Sequence, residues 1–278
     1  MVNLLDDYDH RLRLAADLVG YRSTDVDLPA IAEPYIQNIG RCCVAVDGDR
    51  ALITHPAFGD DLTQQQLTIA VRQLLHQVCE LIGAGEISWR TRNHDQLDPA
   101  CVLPELGFQA ASSETTLLGT LAQLRELNAP AEIRVRMAGE DGKLLTDLAE
   151  FARIHAATLG PTAGLDALAA AIEAGQAAVC LAFVEDQVAS VGRIDLIDDD
   201  CGYLFGSGTL PHFRGRGAYR AQLASRIAWA AQHGAKLVLT DARAASRPTL
   251  TKVGLQPITE TTTWVTTAGI VQRRLAAR

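Results

Sequence analysis

Gly208-Thr209-Leu210-Pro211-His212-Phe213-Arg214-Gly215-Arg216-Gly217-Ala218-Tyr219-Arg220 is the stretch whose reading decides the fold. Upstream, Tyr203-Leu204-Phe205 is a short apolar and aromatic run, which predicts a strand. Downstream, Leu223, Ile227 and Ala230 recur at helical spacing, which predicts a helix to about His233. The order is therefore strand, glycine-bearing turn, helix. The first N–H groups of such a helix have no intrahelical acceptor. Gly215 and Gly217 lack a Cβ, so a ligand can come close to the main chain. The helix end adds about half a positive charge, and Arg214 and Arg216 add two full ones. A phosphate or diphosphate is the natural guest. Read alone, the segment equally fits a βα turn with two surface arginines.

Composition narrows the partners. The chain has 278 residues, 48% of them apolar, room for one large domain or two modest ones. Net charge is −8 with no basic block, which argues against nucleic acid. The six cysteines form no CxxC pair, and the histidines have no metal-ligand spacing near them, so no metal is expected. With no secretory signal at the N-terminus, the thiols are expected reduced and the protein cytoplasmic. No apolar run reaches the roughly eighteen residues that a membrane span requires.

Taken in order, residues 3–21 predict a helix, and Cys42–Val46 with Ala51–Ile53 a β-hairpin. Thr63 is the expected cap of a long helix ending near Gly83, with Leu67, Val71, Leu74, Leu75, Val78 and Leu81 as its apolar stripe. Glu86–Arg90 and Thr115–Leu118 predict strands, separated by a polar loop at Asn93-His94-Asp95, a helical turn and Gly107-Phe108. Leu121–Asn128 reads as a connector helix stopped by Pro130. Residue 130 is the expected boundary, giving a smaller α+β lobe over 1–129 and a second domain over 130–278. In the second domain, strand 132–136 leads to helices 144–155 and 165–172. Strands 178–184, 188–194 and 203–210 follow, then the glycine loop and its helix. Last come strand 236–240, a short helix capped by Ser246 with Pro248 early in it, and strand 261–265.

Pro211-x-x-Arg214-Gly215-x-Gly217-Ala218, opening an amphipathic helix, resembles the acyl-CoA diphosphate loop of the GNAT superfamily of N-acyltransferases. The element order over about 130–266 is similar too. The resemblance implies an α/β (α+β) fold with a mixed, mostly antiparallel sheet flanked by helices. It also implies acetyl-CoA as co-substrate and a small amine or a peptide as acceptor. By that resemblance, the N–H groups of Thr209 and Leu210 face the acyl and pantetheine end, where Gly206, Ser207 and Gly208 leave room. Arg214, Gly215, Arg216, Gly217, Ala218 and Tyr219 cradle the diphosphate. Tyr219 stands where the family has Gly or Ala, so its ring must point away from the phosphates. Many members carry a proton-donating Tyr on the short helix before a Gly-aromatic pair; here that place is Leu250. Ser246 is then the remaining candidate for the leaving thiol, with a plain helix cap as its other reading. Tyr203, Asp241, Glu260 and His212 are the candidates for a base. Residues 1–129 follow a similar late order and are expected to be a degenerate GNAT-like half without the cradle, or an ordinary α+β lobe that walls a cleft or serves a homodimer. A non-catalytic acyl-CoA-binding module is the competing reading. Gly217→Trp is expected to abolish coenzyme uptake while leaving the fold.

Overall fold

The computed structural model describes residues 22–26, 42–47, 49–56, 63–93, 101–124, 127, 130–160, 162, 164–198 and 200–277. The helix expected over 3–21 and the loop at His94-Asp95 lie outside the described residues. In chain order the first strands are β1 (Arg22–Val26), β2 (Cys42–Asp47) and β3 (Arg50–Pro56). Helix α1 (Gln64–Ile82), β4 (Glu86–Arg92) and β5 (Gln109–Thr120) follow. Next are β6 (Arg134–Met137), α2 (Leu144–Thr158), α3 (Leu165–Glu173), β7 (Ala177–Val184), β8 (Gln187–Asp198) and β9 (Cys201–Thr209). The chain ends with α4 (Ala218–Gln232), β10 (Leu237–Ala242), α5 (Arg247–Val253), β11 (Gln256–Thr267) and α6 (Ala268–Ala276).

Two compact units form, one from Tyr21–Glu114 with Thr259–Arg278, the other from Thr115–Ile258. The boundary expected at residue 130 thus falls inside the second unit. The late strand at 261–265 belongs to the first unit, where Thr261–Thr267 pair antiparallel with Arg92–Glu86 of β4. The neighbour of β10 is instead the last half of β5, with Thr115–Thr120 running antiparallel to Ala242–Leu237.

In the first unit, α1 starts where the sequence says. Thr63 accepts the Gln66 N–H while the Gln66 side chain accepts the Thr63 N–H, a reciprocal capping box. The α1 stripe buries Leu67, Val71, Leu74, Leu75 and Val78 among Ile53, Ile87, Trp89 and Phe108. Leu81 is the exception: it is 51% exposed, and Ile82 takes the inward place. Helical rotation of 100° per residue carries position 81 off the stripe that 74, 75, 78 and 82 define.

In the second unit, β6, β7, β8 and β9 are joined antiparallel, and β10 lies parallel to β9. Every residue of β7 is buried. Its alternate residues serve two cores, as a strand's period of two requires. Val179 and Leu181 meet Phe151, Ile154 and Leu168 of α2 and α3. Ala178 shares its core with Leu204, Leu223, Val238 and Leu250, so α4 and α5 cover the other face. Of the connector expected as a helix over Leu121–Asn128, the described start is a 3-10 turn, Leu121–Gln123, after which Leu124 is extended (φ −68, ψ 134); residues 125, 126 and 128 lie outside the described residues.

Burial pushes the Cys79 thiol up to about 11 and the Cys180 thiol up to about 12, from an ordinary value of 9.0. Well below pH 9 both states keep these thiols protonated. As pH rises above 9 the unfolded chain loses thiol protons that the folded chain keeps, so stability falls, by at most about 1.4 kcal/mol per pH unit per thiol. Urea midpoints measured under reducing conditions from pH 8 to pH 10.5 should therefore fall less steeply for Cys180→Ala than for the wild type.

Candidate functional site

The site begins where two strands part. Parallel pairing of β9 with β10 runs only from Cys201↔Leu237 to Tyr203↔Leu239. β9 continues six residues further, to Thr209, held on its other side by β8. Leu210 donates its N–H to the Ala189 carbonyl at 3.0 Å, so that group belongs to the β8 ladder and does not face the parting strands. This corrects the expectation for Leu210. Groups alternate along an antiparallel ladder, so Thr209, the next residue in, turns its N–H and C=O away from β8. The Thr209 hydroxyl meets Ser190 Oγ at 2.8 Å. The Thr209 carbonyl accepts from Arg214 Nε at 3.3 Å, tying the loop's first arginine to the strand.

Gly206 and Gly208 have a different use from the one expected. A Cβ on Gly208 would lie 2.0 Å from Thr158 Oγ1, and one on Gly206 3.4 Å from the Phe151 ring. The smallness of Gly208 admits the end of α2 rather than a ligand, whereas Gly206 meets α2 at an ordinary contact distance and is glycine for its left-handed backbone (φ +60).

The chain then makes one 3-10 turn, Pro211–Phe213, and enters α4 through Gly217. Gly215 (φ +78) and Gly217 (φ +91) are both left-handed. No side chain caps α4, and its first intrahelical bond joins the Ala221 N–H to the Gly217 carbonyl at 3.0 Å. The N–H groups of Ala218, Tyr219 and Arg220 thus precede the helix's own acceptors. A cavity of about 560 Å³ opens there. It is lined by Thr209, Arg214, Gly215, Gly217, Ala218 and Tyr219 from the expected set, and by Arg220, Thr249 and Lys252, which the sequence reading missed. Arg220 and Lys252 could have been found: one stands on the first turn of the glycine-led helix, the other on the helix whose core residue is Leu250.

Arg216 is expected beside the phosphates but its side chain goes elsewhere. It pairs with Glu185 at 2.5 Å, at the turn between β7 and β8. Tyr219 turns its ring inward onto the α4 core, as its bulk demands, and burial raises its phenol pKa while Arg226 lowers it. The two loop glycines differ. Among the described residues nothing lies within 4 Å of a Cβ at Gly215, whereas a Cβ at Gly217 would strike the Pro130 ring at 2.5 Å. Gly217→Trp therefore cannot leave the fold untouched, contrary to the expectation.

The catalytic candidates separate. Ser246 donates its hydroxyl to the Arg243 carbonyl at 3.2 Å and makes no side-chain cap, so the plain-cap reading of it does not hold. Leu250 is 2% exposed and packed in the core. Tyr203 and Asp241 meet: the phenol donates to Asp241 Oδ2 at 3.0 Å, and Thr116 donates to Oδ1 at 2.5 Å. Asp241 lies two residues past the last parallel pair, at the mouth of the parting. His212 is exposed against Phe213, and Glu260 belongs to the other unit. Among the described residues no group of three or more His, Cys, Asp or Glu could hold a metal ion. Among them, too, no helix is long and apolar enough to cross a membrane.

The acetyltransferase (GNAT) family model matches residues 145–255. No curated protein matches the sequence. Among solved structures, a GCN5-related N-acetyltransferase from Kribbella flavida is 16% identical, with 92% of this chain and 94% of that one covered at a TM-score of 0.61. Another from Sphaerobacter thermophilus is 12% identical, covering 82% and 76% at 0.63. A tandem GNAT protein from the clavulanic acid biosynthesis pathway is 11% identical, covering 83% and 79% at 0.58. At these identities the likeness is one of fold.

The glycines supply a stability test. Gly215→Ala carries only left-handed backbone strain, about 1–2 kcal/mol. Gly217→Ala adds the clash with Pro130, about 1–3 kcal/mol more. Urea unfolding of the two variants should rank them in that order.

Proposed function

We propose that the protein transfers an acetyl group from acetyl-CoA to the primary amine of a small molecule or peptide, by direct attack in a ternary complex; the match of residues 145–255 to the acetyltransferase (GNAT) family model supports this reading. The observation that carries this reading is a junction. An uncapped helix N-terminus with an open glycine sits at the end of a strand whose far edge has left its neighbour. The first feature suits a diphosphate, the second an extended arm that takes the place of a strand. Arg214, Arg220 and Lys252 surround the same cavity with positive charge, although the whole chain is acidic. The cradle of this proposal is the main chain of Gly215–Tyr219 with those three cations; Arg216 contributes its N–H and not its side chain.

Bound acetyl-CoA supplies a thioester, an acyl group already activated. The acceptor amine must be neutral as its nitrogen closes on the carbonyl carbon. The C–N bond forms, the C–S bond breaks, and the sulfur keeps the bonding pair. Asp241, held by Thr116 and Tyr203, is placed to attract a cationic amine and pass its proton toward water. Leu250, buried in apolar packing, stands where the family has its proton-donating tyrosine. A thiol of ordinary pKa near 8.5 leaves without one. A cytoplasmic setting goes with the reading, and the buried thiols of Cys79 and Cys180 suit it. Leu250 is also what favours the second reading, an acyl-CoA-binding module without turnover.

Acetyl-CoA at 100 times its Kd should stabilise the protein by about 2.7 kcal/mol, roughly 5–10 °C in Tm. Absence of any shift overturns both readings. Thiol release in the presence of an amine panel, above the rate without amine, separates the enzyme from the module. Arg220→Ala with Lys252→Ala should weaken acetyl-CoA binding at least about tenfold, each lost contact to a charged group being worth about 1.5–3 kcal/mol. Arg216→Ala should leave it within about twofold, because its side chain is paired with Glu185.

A further inference from the structure

The strand that borders the parting carries one residue too many. β8 and β9 keep one register from Leu196↔Gly202 to Arg193↔Phe205, then resume at Val191↔Gly208. Gly206 and Ser207 of β9 thus stand opposite Gly192 alone. Gly206 takes the left-handed conformation (φ +60) that a glycine-led bulge requires. A bulge re-aims the strand that bears it, and this one lies past the last pair with β10. It therefore sets the direction of the open edge from Gly206 to Thr209.

Beneath the bulge lies a buried cation. Arg226 of α4 has no exposed surface. Its Nη1 donates to the Arg193 carbonyl at 2.7 Å and to the Phe205 carbonyl at 3.4 Å. These two carbonyls belong to the last in-register pair before the bulge. A Cβ on Gly192 would lie 2.4 Å from Gln222 Oε1 and 2.6 Å from Arg226 Cζ, so the amide and the guanidinium together fill the volume of the side chain that Gly192 lacks. The groups that act on its charge are the Tyr219 phenol and the Cys180 thiol, both neutral at neutral pH. Burial lowers Arg226 to about 10, which leaves it protonated. Nη2 makes no hydrogen bond. A buried cation without an acid is costly, and an apolar chain of similar volume would serve the core better. What the cation provides here is a grip on two carbonyls beside a bulge.

We propose that Arg226 is a positioning residue, whose guanidinium fixes the β8–β9 bulge and thereby the open edge of β9 that receives the pantetheine arm of acyl-CoA. The inference rests on the acyl-CoA reading above. It assigns Arg226 to the arm and not to the diphosphate, whose proposed cradle is the loop at Gly215–Tyr219 with Arg214, Arg220 and Lys252.

Two probes divide these parts: acetyl-CoA, and adenosine 3′-phosphate 5′-diphosphate, which has the nucleotide and diphosphate but no arm. Calorimetry gives the ratio of their Kd values for the wild type, for Arg226→Met and for Arg226→Lys. The Met variant should keep its affinity for the arm-free nucleotide within about twofold and lose at least about tenfold for acetyl-CoA, about 1.4 kcal/mol. The Lys variant, which keeps a donor, should recover part of that loss. Equal losses for both probes, or no loss for either, overturn the inference while the acyl-CoA reading stands. If the wild type binds neither probe, the acyl-CoA reading itself falls, and this one with it. Should Arg226→Met fail to fold, the Lys variant carries the same test by the same ratio.

Discussion

Everything at the site depends on a hydrogen-bond ladder that stops. β9 and β10 share three parallel pairs and then part. Backbone donors and acceptors in a sheet must find partners, and a ladder that stops leaves them facing outward. Helix α2 packs against the same stretch of β9, which is why Gly208 carries no side chain. The loop that follows turns the chain into α4 with its amide end uncapped. Strand edge and helix end are thus joined by only a few residues, and one extended ligand can satisfy both.

Elements of both units were legible where their signals are local. Gly215 and Gly217 mark left-handed turns, the unbroken apolar run of β7 marks a strand with two covered faces, and Thr63 announces α1 by a cap that forms as read. What escaped depends on pairing partners. Nothing in Thr261–Thr267 says that it joins β4, nor in Thr115–Thr120 that it joins β10. Both are β-branched runs that suit either edge. The same limit hid the separation of Arg214 from Arg216. Two residues apart on a turn, they look alike until Glu185 takes one and the Thr209 carbonyl the other.

Some misreadings came from treating a small residue as room for a ligand. Gly208 is small because Thr158 sits against it, Gly192 because Gln222 and Arg226 do, and Gly217 because Pro130 does. Only Gly215, of the four, opens onto space among the described residues. A glycine in the sequence marks a close approach, and only the tertiary packing tells what approaches. Ser246 illustrates the converse: a hydroxyl at the head of a helix invites a capping or catalytic role, yet it is satisfied by the Arg243 carbonyl behind it.

The partnership of Thr115–Thr120 with β10 has a consequence for biosynthesis. Leu118 pairs with Leu239, which the ribosome adds 121 residues later. At roughly 5–20 residues per second, that segment emerges about 6–24 seconds before its partner exists. Trp89 waits longer still for Trp264. During that interval apolar β-formers stand with unmatched edges, the condition under which nascent chains recruit one another. Neither unit can close until the last fifth of the chain is made, so the cell must shelter the whole polypeptide rather than half of it.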